Sequence, residues 1–445
     1  MRFASKLIIT LTATLLLTGS AHAVVNHWGT IASNETWSSS DVHVLTGDVT
    51  VNSGATLTIQ PGAVVKAQKY CDIFVWGNLR AVGTSVGRIT FTSYRDDTVG
   101  GDTNGDGAAS SPSAGLWGGI WFMNSSVDYD AATNSGCFLR YCNVRWGGTT
   151  SNWPLFCGQV NCSDAVPRIR WCNIDDGTLA GIRLASAVTP DIAGCQISGH
   201  VGGNGIRVDY AVIGRNITWT NCGLPWIVWS DVTVNVGKVL TVEPGAVVKF
   251  LYPSADLIVS GTLHAGAAGG PMTWFTSWLD DTVGGDTDDS GPTTGSCQDW
   301  GTIRINSTGA TSYLSGCVIA YGGAGATGAV WCDNSQPNID NCVFLGNRIG
   351  VFFDGWNASG TIRNCVFRAG IAADVWCSDT AAPTVKNCVM YGNQDRGIYA
   401  GDCSPTITNC IVMTNQPPCS GAYGIEVLTG SPTTVSYTHL TLPTN

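Results

Sequence analysis

Apolar and polar residues alternate in short stretches along most of the chain. Val49 and Val51, then Leu57 and Ile59, are separated by polar residues, and the stretches end in Gly, Asn or Pro. A period of two over so few residues predicts half-buried strands joined by tight turns. Late in the chain the same text returns. Pro337-Asn-Ile-Asp-Asn-Cys-Val-Phe344, Pro383-Thr-Val-Lys-Asn-Cys-Val-Met390 and Pro405-Thr-Ile-Thr-Asn-Cys-Ile-Val412 are three versions of one phrase. A second asparagine follows each (Asn347, Asn393, Asn415), and then a strand opened by glycine: Gly350-Val-Phe-Phe, Gly397-Ile-Tyr-Ala, Gly424-Ile-Glu-Val. Nothing after residue 23 carries a helical period with caps.

The phrase repeats at the length of one coil. Cys317, Cys342, Cys365, Cys388 and Cys410 are 25, 23, 23 and 22 residues apart, and Cys142, Cys172, Cys195 and Cys222 are 30, 23 and 27 apart. A larger repeat overlies it. Asp48-Val-Thr-Val-Asn-Ser-Gly-Ala-Thr-Leu-Thr-Ile-Gln-Pro-Gly-Ala-Val-Val-Lys66 returns, offset by 183, as Asp231-Val-Thr-Val-Asn-Val-Gly-Lys-Val-Leu-Thr-Val-Glu-Pro-Gly-Ala-Val-Val-Lys249. Asp96-Asp-Thr-Val-Gly-Gly-Asp-Thr103 returns as Asp280-Asp-Thr-Val-Gly-Gly-Asp-Thr287, and Trp117-Gly118 as Trp300-Gly301. The chain therefore reads as two related halves, 24–222 and 223–434.

A unit this short cannot bury its apolar face alone and must stack on its neighbours. The expected fold is all-β: a right-handed parallel β-helix in which every coil adds a strand to each of three parallel sheets. Ile339, Cys342 and Phe344 point into the shared core, and equivalent asparagines form side-chain ladders at the turns. Residues 40–434 then give roughly 16 coils and a rod of about 75–80 Å at the strand spacing of a sheet. A leucine-rich repeat is excluded, because residues 311–434 hold only Leu314, Leu345 and Leu428. A left-handed β-helix is excluded by the absence of a six-residue period.

The pattern Asn…Gly-Ile…Pro-x-Ile-x-Asn-Cys-x-Ile resembles the right-handed parallel β-helix repeat of secreted bacterial surface proteins, on a pectate-lyase-like scaffold. Leu57-Thr-Ile-Gln-Pro-Gly-Ala-Val-Val-Lys66, Gly77-Asn-Leu-Arg-Ala-Val-Gly83 and Ile89-Thr-Phe-Thr-Ser93 are similar to the opening coils of that family. The resemblance spans residues 40–434. It implies the fold but not an activity, since this scaffold carries lyases, hydrolases, adhesins and inert spacers.

Composition agrees with strands. Of 32 acidic residues only Glu35, Glu243 and Glu426 are glutamate; aspartate and 56 glycines are turn formers. Residues 1–23 read as a Sec-type signal peptide, with Arg2 and Lys6 before an apolar stretch and Ala21-His-Ala23 at the cleavage site. The expected location is extracellular or cell-surface, with no membrane span after the leader is removed. Losing Arg2 and Lys6 takes the net charge from −10 to −12. Such a surface repels phosphate, so nucleic acid is not an expected partner. Residues 435–445 break every earlier pattern and resemble a translated sequencing adapter; they read as a non-native tail. Oligomeric state is not legible.

Equivalent residues of successive coils lie about 4.8 Å apart with parallel side chains, which suits stacking better than disulfide formation. Cys317, Cys342, Cys365, Cys388 and Cys410 are therefore expected as a buried stack, while off-ladder pairs such as Cys157 with Cys162 stay open. Asp102-Thr-Asn104-Gly-Asp106-Gly matches the start of a D-x-[DN]-x-[DN]-G calcium loop, and Asp286-Thr-Asp288-Asp-Ser290-Gly repeats it. Ser113 and Cys297 stand where an EF-hand has glutamate, so an EF-hand is excluded. A structural calcium ion is expected there, with Asp96, Asp97, Asp280 and Asp281 as further ligands; the competing reading is a solvated turn.

Seventeen tryptophans suggest either a sugar-stacking surface or wedges between coils. Trp117, Trp121, Trp146, Trp153, Trp226, Trp229, Trp274 and Trp300 gather where the coils are least regular. For catalysis the candidates are the pair Asp175-Asp176 with His200 and Arg207, and Arg183 with Arg207 on adjacent rungs. Their flanks do not match polygalacturonase motifs. The expected function is a non-catalytic binding or spacer module that contacts polysaccharide or cell-surface glycan. The alternative is a lyase or glycoside hydrolase acting on acidic polysaccharide.

Overall fold

The computed structural model describes residues 23–149, 157–308, 311–414 and 423–441. Leader residues 1–22, Trp153, Asn415 and residues 442–445 lie outside the described residues. In the described chain a single 3-10 turn, Ala324–Ala326, interrupts an otherwise all-β structure. No helix among the described residues is long and apolar enough to cross a membrane.

One turn of the solenoid shows how the repeat folds. The chain runs along Asn338–Asp340, bends at Asn341-Cys342, runs along Val343–Leu345, bends at Gly346-Asn347 and runs along Ile349–Asp354. We call these the first, second and third faces. Each strand lies parallel to its counterpart one turn on: Asn338 opposite Thr361, Val343 opposite Val366, Val351 opposite Val375. About 16 such turns form the parallel solenoid. The three faces do not stay three separate sheets. Hydrogen bonding joins the strands into sheets of 28, 6 and 9. One reason is that Asp41–Val51 and Thr406–Thr414 each round a corner unbroken and so tie two faces together. Thr433–Thr441, which takes in much of the adapter-like segment, pairs in parallel with Thr406–Thr414.

The inward positions stack into rows. Leu314, Ile339, Ile362, Val385 and Ile407 form one, and Ile319, Phe344, Phe367, Met390 and Val412 another; all are buried. The rings of Phe344 and Phe367 stack at 4.5 Å. Each such side chain is worth about 1.5–3 kcal/mol when buried, but only the neighbouring turn can bury it.

The Asn-Cys corner has a backbone reason. Asn341, Asn364, Asn387 and Asn409 hold φ of 53°, 54°, 53° and 50°. Asparagine tolerates this left-handed region better than most residues. Its amide then climbs the rod: Asn364 donates to Asp340, Asn387 to Asn364 and Asn409 to Asn387, at 2.9, 3.2 and 2.9 Å. In the first half Tyr141 and Trp171 take the same kind of corner at φ 51° and 54° and stack on each other at 5.0 Å.

The cysteines of the late stack are buried free thiols, as expected. Each sulfur faces a first-face carbonyl of the preceding turn, as Cys342 does Leu314 at 3.4 Å. Hydrogen bonding to the neighbouring sulfur, together with burial, pushes the thiols of Cys365, Cys388 and Cys410 up, so they are poor nucleophiles. Cys157 and Cys162 do not bridge: Cys162 is a free thiol and Cys157 donates to Gly148 O. The disulfide that forms, Cys377–Cys403, was not foreseen. Cys377 ends a third-face strand and Cys403 sits in the bend one turn on, 6.2 Å away between Cα atoms, so their side chains converge instead of running parallel.

The two halves meet out of step. Ile206–Val208, on the third face of the first half, pairs with Trp226–Val228. That strand pairs with Val247–Phe250, the duplicate of second-face strand Val64–Ala67. The third-face ladder of one half therefore runs into the second-face ladder of the other.

Corners into the third face are built on an aspartate, buried at Asp72 and half-buried at Asp256. The Asp72 carboxylate accepts from Gly119 N and Trp121 Nε1, both at 2.8 Å, and its own N–H donates to Asp48. Asp256 repeats the plan with Thr302 and Asp231. Burial pushes Asp72 up to about 7, against the pull of those two hydrogen bonds. A carboxyl raised above its unfolded value binds a proton in the folded state that the unfolded chain releases. Its contribution is complete near pH 4 and lost as pH rises through about 7. Stability should therefore fall across that window, and Asp72→Asn should flatten the slope by up to about one proton in urea titrations at stepped pH. An unchanged slope would refute the assignment.

Candidate functional site

Each half inserts a long loop between a second-face strand and the next third-face strand: after Ile89–Ser93 and after Thr273–Ser277. The loop folds back over the second face, and a lysine at the end of the duplicated motif holds it. Lys66 Nζ donates to Gly101 O at 2.6 Å; Lys249 Nζ donates to Gly285 O at 2.8 Å and Thr287 Oγ1 at 2.5 Å. Both lysines are fully buried. Burial lowers Lys249 to about 8, against the opposing pull of Asp281, Asp280, Asp288 and Asp286. The sequence printed both lysines at matching places, but only the folded-back loop gives them a role. The second loop also reaches the other half: Asn204 donates from N to Thr287 O and from Nδ2 to Asp286 O, both at 2.9 Å.

Carboxylate oxygens converge in each loop. Asp97, Asp102 and Asp106 bring one oxygen each within 4.8 Å of one another, and so do Asp281, Asp286 and Asp288. Asp97 Oδ1, Asn104 Oδ1, Asp281 Oδ1 and Asp286 Oδ1 are buried without a hydrogen-bond partner among the described residues. Three carboxylates beside one ammonium leave two negative charges per cluster, which suits a divalent oxygen-seeking cation. Asp96 and Asp280 lie outside the clusters. They are fully buried and bonded to Thr92 and Thr98, and to Thr276 and Thr282, as turn formers. Ser290 meets its cluster through its N–H, which donates to Asp288. Asp102 also accepts from the N–H groups of Gly105, Asp106 and Gly107, the bonds of an ordinary aspartate turn.

The catalytic candidates separate by face. Asp175 and Asp176 close a second-face strand, where Ser198 Oγ donates to Asp175 at 2.9 Å. His200 is beside them: a Cβ added to Gly177 would lie 2.6 Å from its Nε2. The imidazole is fully buried, contacts Gln159 Nε2 at 3.0 Å and is held neutral, at about 4, by that burial. Arg183 and Arg207 do occupy adjacent rungs, on the third face. Both Nε atoms donate to the two oxygens of Asp209 at 2.5 Å, and the Arg207 guanidinium lies 3.5 Å over Trp229. Arg207 is fully buried, so its guanidinium orders a corner and is closed to a substrate, while Arg183 beside it is half-buried.

Three of the seven described tryptophans of the expected group are interior. Trp117, Trp226 and Trp300 are buried wedges, and Trp121, Trp146, Trp229 and Trp274 are partly covered. A continuous outward aromatic row lies elsewhere. On the third face of the second half, Trp331, Phe352, Trp376 and Tyr399 sit in register on four successive strands. Their ring centroids are 6.0, 6.4 and 4.1 Å apart in turn, and all are half-buried. Arg304 caps one end, 4.3 Å over Trp331. Two residues further along these strands lie Asp333 and Asp354, also in register, followed by Ser378 and Asp379 one turn on. The four rings escaped sequence reading because no single letter repeats. The available signal was their common place, the outward residue of the third-face strand.

Residues 29–152 match the model of a pectate-lyase like beta helix domain, and residues 301–442 match that of a right handed beta helix region. No curated protein matches the chain. No solved structure matches it. Matches at both ends of one parallel solenoid support a right-handed β-helix repeat protein.

Proposed function

We propose that this is an exported, non-catalytic binding and spacer protein that holds a carbohydrate chain along its rod. The observation that carries the reading is the row of four outward aromatic rings on consecutive strands. Flat apolar faces repeated at strand spacing suit successive sugar rings, whose C–H faces stack on aromatics. The competing reading, an enzyme acting on acidic polysaccharide, draws on the pectate-lyase like match at residues 29–152. It needs an accessible base beside a cation, and the candidate Arg207 is sealed under Trp229. Incubation with a polysaccharide panel separates the two. The binder is retained by an immobilised glycan without releasing unsaturated or reducing ends, and Trp331→Ala with Trp376→Ala weakens retention by roughly ten- to hundredfold. Product release from pectin or alginate would reverse the choice.

We further propose that the two loops each hold a calcium ion with a structural role. Asp97, Asp102, Asn104 and Asp106 would supply one set of oxygens, and Asp281, Asp286 and Asp288 the other. The partnerless buried oxygens in both loops support this.

A further inference from the structure

The surroundings of the aromatic row name a class of ligand; the step rests on the glycan-binding reading above. Every cationic group at the row is already engaged. Arg304 donates from Nε and Nη2 to Asp333, at 3.0 and 2.5 Å. Arg396, beside Tyr399, is paired with Asp395 and with Glu426. The edge of the row is acidic: Asp333 and Asp354 stand in register, and Asp379 follows one turn on. Asp354 is raised above the ordinary carboxylate range by burial and by its contact with Asp379, so negative charge is crowded there before any ligand arrives.

We propose that the third face of the second half binds an uncharged polysaccharide lying across the rungs, parallel to the rod axis. Trp331, Phe352, Trp376 and Tyr399 stack on its sugar rings. Asp333, Asp354 and Asp379 accept hydrogen bonds from its hydroxyls and exclude uronic acid chains. Four rings on successive strands span about 14 Å, enough for several sugar units. A hydroxyl is a donor that a carboxylate accepts strongly. A uronate adds a carboxylate of like charge to the same edge, and juxtaposed like charges are costly.

Affinity electrophoresis of the full chain through gels carrying a neutral β-glucan, polygalacturonate or chitosan tests this. The neutral gel is expected to retard the protein at least about tenfold more strongly than polygalacturonate. Asp333→Asn with Asp354→Asn should narrow that gap, because the acidic edge is neutralised and Arg304 is released. Asp354→Asn alone, away from the arginine, should narrow it less. Equal or stronger Trp331- and Trp376-dependent retention by polygalacturonate would overturn the ligand class while leaving glycan binding intact. Preference for chitosan over the neutral chain would overturn it too. If no gel retards the protein, or if Trp331→Ala with Trp376→Ala changes nothing, the underlying glycan reading fails as well.

Discussion

Replacing Trp300 by alanine is expected to destabilise the solenoid by about 3–5 kcal/mol. The indole is fully buried and stacks on Phe250 at 4.3 Å with ring planes 10° apart. Its Nε1 donates to Ala320 O at 2.7 Å. Gly322 presses against it so closely that an added Cβ would sit 2.7 Å from the ring. Truncation therefore opens a cavity and strips a buried carbonyl of its donor. Trp300 also stands where the long second-half loop rejoins the solenoid, so it binds two turns that the loop separates in sequence. Trp117, its duplicate, donates to Arg145 O at 2.6 Å and should behave the same way. Trp356 is the control: it is 80% exposed, and its alanine variant should stay within about 0.5 kcal/mol. Urea unfolding midpoints compare the three, and similar losses at Trp300 and Trp356 would contradict the interior assignment.

Removing calcium is expected to have the next largest effect. A ligand at a hundred times its dissociation constant stabilises the fold by about 2.7 kcal/mol per site. Two filled loops would together contribute roughly twice that. Chelator should lower the melting temperature of the wild-type protein, and calcium should restore it. Asp102→Ala with Asp286→Ala should abolish the response, because each residue belongs to one of the two clusters. A melting curve indifferent to chelator would reduce both loops to aspartate turns.

Much of the architecture could be read before any coordinates. Strand alternation, the Asn-Cys phrase and the even cysteine spacing gave a solenoid of parallel strands, because each is a local requirement repeated at every turn. The inward stack of Ile339, Cys342 and Phe344 follows from that period alone. What could not be read depends on partners distant in sequence. The fate of Lys66 and Lys249 requires a loop folding back over a strand. The Cys377–Cys403 bridge requires two inequivalent positions of neighbouring turns to converge. The change of ladder between Ile206–Val208 and Val247–Phe250 leaves no local mark, since either face would accept the same apolar alternation. Exposure was the least legible property. Tryptophan count left surface and wedge open; Trp117, Trp226 and Trp300 prove to be wedges, and Trp331, Phe352, Trp376 and Tyr399 form an outward row that the count did not mark.

The slip of one ladder between the halves bears on how such a chain grows. Recombination between the two copies of the Asp48–Lys66 motif would excise the seam itself and leave a shorter rod whose sides run true from end to end. An added copy joined by the same seam would step sideways again. A family of such rods, lengthened by tandem gene duplication, would therefore display its successive copies around the shaft like treads on a spiral stair, each looking out in its own direction.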